Sequence, residues 1–154
     1  MRGRVAATAL ALTCAAPAAH AAARPYWNVQ WGQPQKASAG FGLLLGRVSG
    51  HELQFATRAA LVELRPGTGG GALHVGFAPL AIKSRAFAFA GAALKGTLLR
   101  TWGAPGASLA PGATYAGAEL HLAWIVKGSV GVLWKVGGPG RKSHVLTWGV
   151  GLGL

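Results

Sequence analysis

The stretch His144-Val145-Leu146-Thr147-Trp148-Gly149-Val150-Gly151-Leu152-Gly153-Leu154 decides how the rest of the chain is read. Leu146, Trp148, Val150, Leu152 and Leu154 share one parity, and Thr147, Gly149, Gly151 and Gly153 share the other. A period of two is the repeat of a β-strand, whose successive side chains point to opposite faces. A helix would scatter the same bulky residues around its circumference. One face is large and apolar, and the other is almost without side chains. A soluble antiparallel sheet would carry polar groups on its outer face instead.

The same alternation runs upstream. Val130, Val132, Trp134 and Val136 alternate with Ser129, Gly131, Leu133 and Lys135. Ala118, Leu120, Leu122, Trp124 and Val126 alternate with Gly117, Glu119, His121, Ala123 and Ile125. Leu73, Val75 and Phe77 alternate with Ala72, His74, Gly76 and Ala78. Leu53, Phe55, Thr57, Ala59 and Leu61 form one face of the next segment, with Gln54, Ala56, Arg58, Ala60 and Val62 on the other. Together with 26–32 and 39–48, these patterns predict strands near 51–64, 72–82, 86–101, 113–126, 129–136 and 144–154. In 86–101 the apolar parity switches after Phe87 and Phe89. A bulge near Gly91 would account for it, because one extra residue reverses the facing of everything beyond. An Ala-rich helix from Ala86 to Leu99 is the competing reading.

The connections alternate in length. Gln33–Ser38, Arg65–Gly71, Trp102–Gly112 and Gly137–Ser143 read as longer, and Ser49-Gly50, Lys83-Ser84-Arg85 and Lys127-Gly128 as tight turns. Short turns on one side and longer loops on the other mark an up-and-down membrane barrel. The fold class expected is all-β: an antiparallel up-and-down transmembrane β-barrel of eight strands. Eight strands fill their interior with side chains, which suits a face of Gly, Ala and Ser. Closure satisfies every backbone group, as a bilayer demands. Trp27, Trp31, Trp102, Trp124 and Trp134 sit toward predicted strand ends, where interfacial aromatic girdles would lie. Ordinary core packing is the other reading of these tryptophans.

The octet Thr147-Trp148-Gly149-Val150-Gly151-Leu152-Gly153-Leu154 resembles the β-signal of bacterial outer-membrane barrel proteins. Thr147, Gly149, Leu152 and Leu154 occupy its polar, glycine and two large apolar positions. Leu154 stands where an aromatic is commonest. Over its length beyond the leader the chain resembles, as a class, the small eight-stranded outer-membrane barrels. That resemblance implies insertion by the outer-membrane barrel assembly machinery after passage by periplasmic chaperones. It also implies both termini in the periplasm. Barrels of this kind include structural proteins, adhesins and lipid A-modifying enzymes, so function has to come from a site.

The N-terminus reads as an export signal over 1–21, leaving a single barrel domain over 22–154. Arg2 and Arg4 precede an apolar run from Val5 to Ala16, Pro17 breaks it, and Ala19-His20-Ala21 has the small-x-small cleavage pattern. A cut after Ala23 fits nearly as well. A membrane anchor would need a longer apolar run. Thr13 ahead of Cys14, with no Leu three positions before the cysteine, argues against lipidation. Cys14 is the only cysteine, so the exported chain needs no disulfide in an oxidising compartment.

Only 12% of residues are charged, and 15 Lys+Arg face 3 acids, Glu52, Glu63 and Glu119, with no Asp. That inventory excludes EF-hands, two-metal sites, cysteine zinc sites and Ser-His-Asp triads. No cofactor or metal is expected. Glu119, His121, Arg58, Lys95 and His74 fall on the small-residue face and are expected to form an interior polar network, with Glu119 neutralising Arg58 or Lys95. Buried charges have to be paired. A Glu-His pair serving Ser129 or Ser143 in a lipid A-modifying hydrolase is the sharper alternative. Lys36, Arg65, Arg141 and Lys142 are placed in outer loops, and Lys83 and Arg85 near the periplasmic rim. These cations are expected to contact phosphates of lipopolysaccharide and other outer-membrane lipids. Nothing supports nucleic acid as a partner. The expected function is a non-enzymatic outer-membrane barrel with a structural or surface role. A soluble periplasmic barrel binding an apolar ligand would show the same periodicity with its apolar face turned inward.

Overall fold

The computed structural model describes residues 22–46, 53–56, 59–84, 90–124 and 126–153. The expected signal segment 1–21, Arg58, Arg85 and Leu154 lie outside them, as does the side chain of Lys83.

Eight strands form. They are β1 (Ala22–Gln33), β2 (Lys36–Gly46), β3 in two segments (Leu53–Ala56 and Ala59–Gly67) and β4 (Gly70–Ser84). Then follow β5 (Ala90–Thr101), β6 (Thr114–Ala123), β7 (Lys127–Gly137) and β8 (His144–Gly153). Both segments of β3 pair with β4 and count as one strand. Each strand pairs antiparallel with the next, and β8 returns to β1, so the sheet is a closed eight-stranded barrel. β1 meets β2 along Ala22–Gly32 but meets β8 only along Asn28–Gln33. That stagger tilts the strands against the barrel axis.

Several local expectations need correction. β5 is a strand from Ala90 onward, so the helix reading fails there. Its register with β6 runs unbroken from Gly91 to Arg100. Phe87 and Phe89, on which the expected parity switch rests, lie outside the described residues; the neighbour β4 carries an extra residue between Phe77 and Leu80 opposite Ala93. The facing of β3 is the reverse of that expected: Ala59, Leu61, Glu63 and Arg65 point inward and Ala60, Val62 and Leu64 outward. Ala59 and Leu61 are apolar yet pack inside the barrel with Ala78, so apolar character does not mark the outer face there. Two connections read as long are two-residue turns, Pro34-Gln35 and Thr68-Gly69. Lys127 and Gly128 belong to β7 rather than to a turn.

The two ends differ. At the upper end lie Pro34-Gln35, Thr68-Gly69 and the connections 102–113 and 138–143; both chain ends of the barrel lie at the lower. The 102–113 loop folds over the lumen. Its Gly106 N–H donates to Pro34 O (2.8 Å) and Trp102 N–H to Gly69 O (3.3 Å). Thr101 Oγ1 donates to Ala110 O (2.7 Å) and accepts from Ala113 N–H (2.9 Å). Leu109 and Ala113 thereby join Ala72, Leu99, Tyr115, Leu133 and Val145 in an apolar plug. Near the lower end Ala59, Leu61 and Ala78 pack with Leu44 and Ala93. Between these apolar layers the lumen is polar.

The outer wall is apolar around the ring. Trp31, Phe41, Leu64, Val75, Leu94, Leu122, Trp134 and Leu146 are each more than half exposed. Most large apolar side chains therefore point out, and Glu63, Arg65, Lys95 and Glu119 point in.

Inward glycines set the bore. A Cβ on Gly151 would fall 2.1 Å from Val29 O at the β1–β8 seam, whereas one on outward Gly128 meets nothing within 4 Å. We expect Gly151→Val to lower the urea-unfolding midpoint by the equivalent of about 1–3 kcal/mol or to abolish folding. Gly128→Ala should leave the midpoint within about 0.5 kcal/mol of the parent.

Candidate functional site

The polar layer is built from alternate residues on five strands. Glu63 and Arg65 stand two apart on β3, so both enter the lumen. Tyr26 and Asn28 do the same on β1, and Glu119 and His121 on β6. β4 contributes His74, and β5 contributes Lys95 and Thr97. Glycines make room for them. A Cβ on Gly40 would come within 2.5 Å of Glu63 Oε1, and one on Gly131 within 2.5 Å of Glu119 Cγ.

Glu63 is the hub, and it is fully buried. Its Oε1 accepts from Arg65 Nε (2.8 Å), Arg65 Nη2 (2.6 Å) and Asn28 Nδ2 (3.1 Å). Its Oε2 accepts from Tyr26 OH (2.8 Å) and from Lys95 Nζ, which reaches over β4 from β5. One carboxylate thus holds two cations and two neutral donors. Charge-assisted bonds in a water-poor interior are strong, and losing one partner strands the others.

Glu119 forms a second cluster. Its Oε2 lies 3.0 Å from His121 Nε2 and 3.8 Å from His74 Nδ1. His74 Nδ1 also contacts Thr97 Oγ1 at 2.9 Å. The two imidazoles meet edge to face, with ring centroids 5.7 Å apart. His74 Nε2 and His121 Nδ1 are buried without a hydrogen-bond partner among the described residues.

Glu119, His121, Lys95 and His74 all lie inside, but the pairing differs from the expected one. Lys95 pairs with Glu63, and Glu119 pairs with imidazoles. Arg58 lies outside the described residues. Arg65, expected in an outer loop, is a buried partner of Glu63. Strand β3 runs on to Gly67 and keeps Arg65 within the lumen. The reading missed Glu63, Tyr26 and Asn28. In Ala59–Arg65 the polar pair Glu63/Arg65 shares one parity and Ala60, Val62 and Leu64 the other, which marks the inner face directly.

Arg141 and Lys142 are exposed at the upper end, where Lys142 Nζ donates to Ala107 O. Lys36 opens β2 there, and exposed Arg100 donates from Nη1 to Thr114 Oγ1 (2.7 Å). Both described acids are inside, so no described carboxylate neutralises this rim. Ser143 contacts His144 on the exposed rim (3.2 Å), and Ser129 lines the inner wall. Among the described contacts neither serine bonds to Glu119 or His121. Thr147 is buried with its Oγ1 unpartnered, Gly149 borders Ser129, and Leu152 lies on the outer wall.

Removing the hub carboxylate should leave Arg65 and Lys95 uncompensated. We expect Glu63→Gln to cost roughly 3–5 kcal/mol in equilibrium unfolding. Adding Lys95→Met should restore part of that loss in a double-mutant cycle. Strict additivity of the two substitutions would contradict the pairing.

No family model, no curated protein and no solved structure matches this chain, so its function has to follow from its own architecture and chemistry.

Proposed function

We propose that this protein is a small outer-membrane β-barrel with a structural or surface role and no catalytic activity. The observation that carries the reading is the inverted polarity of the ring. Large apolar side chains cover the outside, and the buried charges are paired inside. In water such a wall would be one continuous apolar patch, far beyond what soluble monomers expose. In hydrocarbon it is the favourable surface, and the closed ring leaves no backbone edge unpaired.

Further features support this reading. Strands of 10–12 residues predominate, and ~9–11 tilted residues cross a bilayer. Trp31, Trp102 and Trp134 lie toward the upper end and Trp124 toward the lower, as interfacial girdles would. The lumen is filled by an apolar plug, a charged layer and a lower apolar layer, which argues against a pore. A soluble lipid-binding barrel would need its apolar face inside, and that face is outside here. The C-terminal β-signal resemblance and the export-type leader fit delivery to the outer membrane.

Lys36, Arg100, Arg141 and Lys142 sit at the upper end without a described acid among them. Placed in the outer leaflet, they would face lipopolysaccharide phosphates, which bind guanidinium and ammonium groups through charge-assisted hydrogen bonds. Arg65 leaves this set, since Glu63 holds it inside. On this reading the partners are outer-membrane lipids, and the assembly machinery during biogenesis.

Fractionation of cells expressing the full-length chain, with gels run before and after boiling, tests the proposal. We expect an outer-membrane protein whose unboiled form migrates faster. A soluble periplasmic protein of unchanged mobility would overturn it. Val75, 56% exposed near mid-strand, gives a finer test. Val75→Arg should cost about 2–4 kcal/mol if that position faces the bilayer midplane. A cost below about 0.5 kcal/mol, normal for an exposed site in water, would contradict the placement.

A further inference from the structure

We propose that His74, Glu119 and His121 form a binding site for a divalent transition-metal ion, zinc by chemical class, inside the barrel. The three are buried side chains from β4 and β6, and one ligand atom from each lies within 4.8 Å of the others. Two imidazoles and one carboxylate are a ligand set that holds zinc while leaving a coordination position free. Their spacing suits the ion. Tetrahedral bonds of about 2.0–2.1 Å put ligand atoms about 3.3 Å apart. The observed separations from Glu119 Oε2, 3.0 Å to His121 Nε2 and 3.8 Å to His74 Nδ1, bracket that value.

Charge points the same way. Glu63 takes both Arg65 and Lys95, the interior cations nearest the layer's centre. Glu119 is left with imidazoles alone among its described partners. A buried carboxylate needs a positive partner, and an ion on its imidazole side supplies one. His74 Nε2 and His121 Nδ1, the ring nitrogens that do not contact Glu119, have no partner among the described residues. Thr97 Oγ1 lies 2.9 Å from His74 Nδ1, a contact this nitrogen would give up on taking the ion. A cavity of about 50 Å³ borders His121 and is lined also by Tyr26, Ala123, Lys127 and Gly153.

The test uses the full chain, purified in detergent, stripped with chelator and titrated with Co²⁺ as a visible probe. We expect one Co²⁺ per chain, the intense absorption of a low-coordinate site, and displacement by Zn²⁺. Glu119→Gln and His121→Asn should each weaken binding about ten-fold or more, and exposed His144→Asn should not change it. X-ray absorption of the Zn²⁺-loaded parent chain should show two imidazoles in the first shell, a readout that needs no variant to fold. Binding lost in His144→Asn would overturn the site. So would a purely hexa-aqua cobalt spectrum, or zinc without imidazole scattering; the cluster would then be a hydrogen-bonded network only.

Discussion

Eight strands close into a ring only if the first and the last find each other. Here that seam is Asn28–Gln33 of β1 against Trp148–Gly153 of β8. Everything else in the molecule answers to this closure. A ring of eight has a narrow lumen, which is filled by side chains, so inward volume is limited and inward charges must neutralise one another. Gly149, Gly151 and Gly153 leave space at the seam itself, where Asn28 and Gln30 project from β1. Elsewhere Gly40 and Gly131 clear volume for Glu63 and Glu119. Most of the large apolar side chains lie on the outside.

Much of the fold was legible because the strand period is short and the outer wall has one chemistry. The C-terminal alternation alone placed β8, and the same rule found every other strand. Facing failed only in β3. There Ala59 and Leu61 are apolar yet point inward, into the lower apolar layer with Ala78. Apolar character does not mark the outside where the lumen itself has an apolar layer. The reversal hid Glu63 and Arg65, and with them the centre of the site. Turn lengths failed for a related reason: Pro34-Gln35 and Thr68-Gly69 sit among residues that continue as strand despite Pro and Gly.

The site was harder to read than the fold. Glu119 and His121 share a strand, so their common facing follows from spacing. Lys95 reaching Glu63 depends on β3 and β5 flanking β4 at matching height. His74 approaching Glu119 depends on stagger between β4 and β6. Neither relation is encoded locally. The three-layered filling also explains why the interior can carry so much charge. The upper plug around Leu109, Tyr115 and Leu133 and the lower group around Leu61 shield the middle layer, where ion pairs are strong and must be complete.

The central claim is that the apolar outer wall meets lipid while the charged layer stays inside. The most direct measurement refolds the denatured full chain into vesicles whose acyl chains carry bromine and follows tryptophan fluorescence. All six tryptophans belong to the full chain, and each is exposed on the outside of the ring or its rims. The account predicts strong quenching by the brominated chains on folding, with little quenching by aqueous acrylamide. Tryptophans quenched by acrylamide and untouched by bromine, in a chain with full β-sheet circular dichroism, would contradict it.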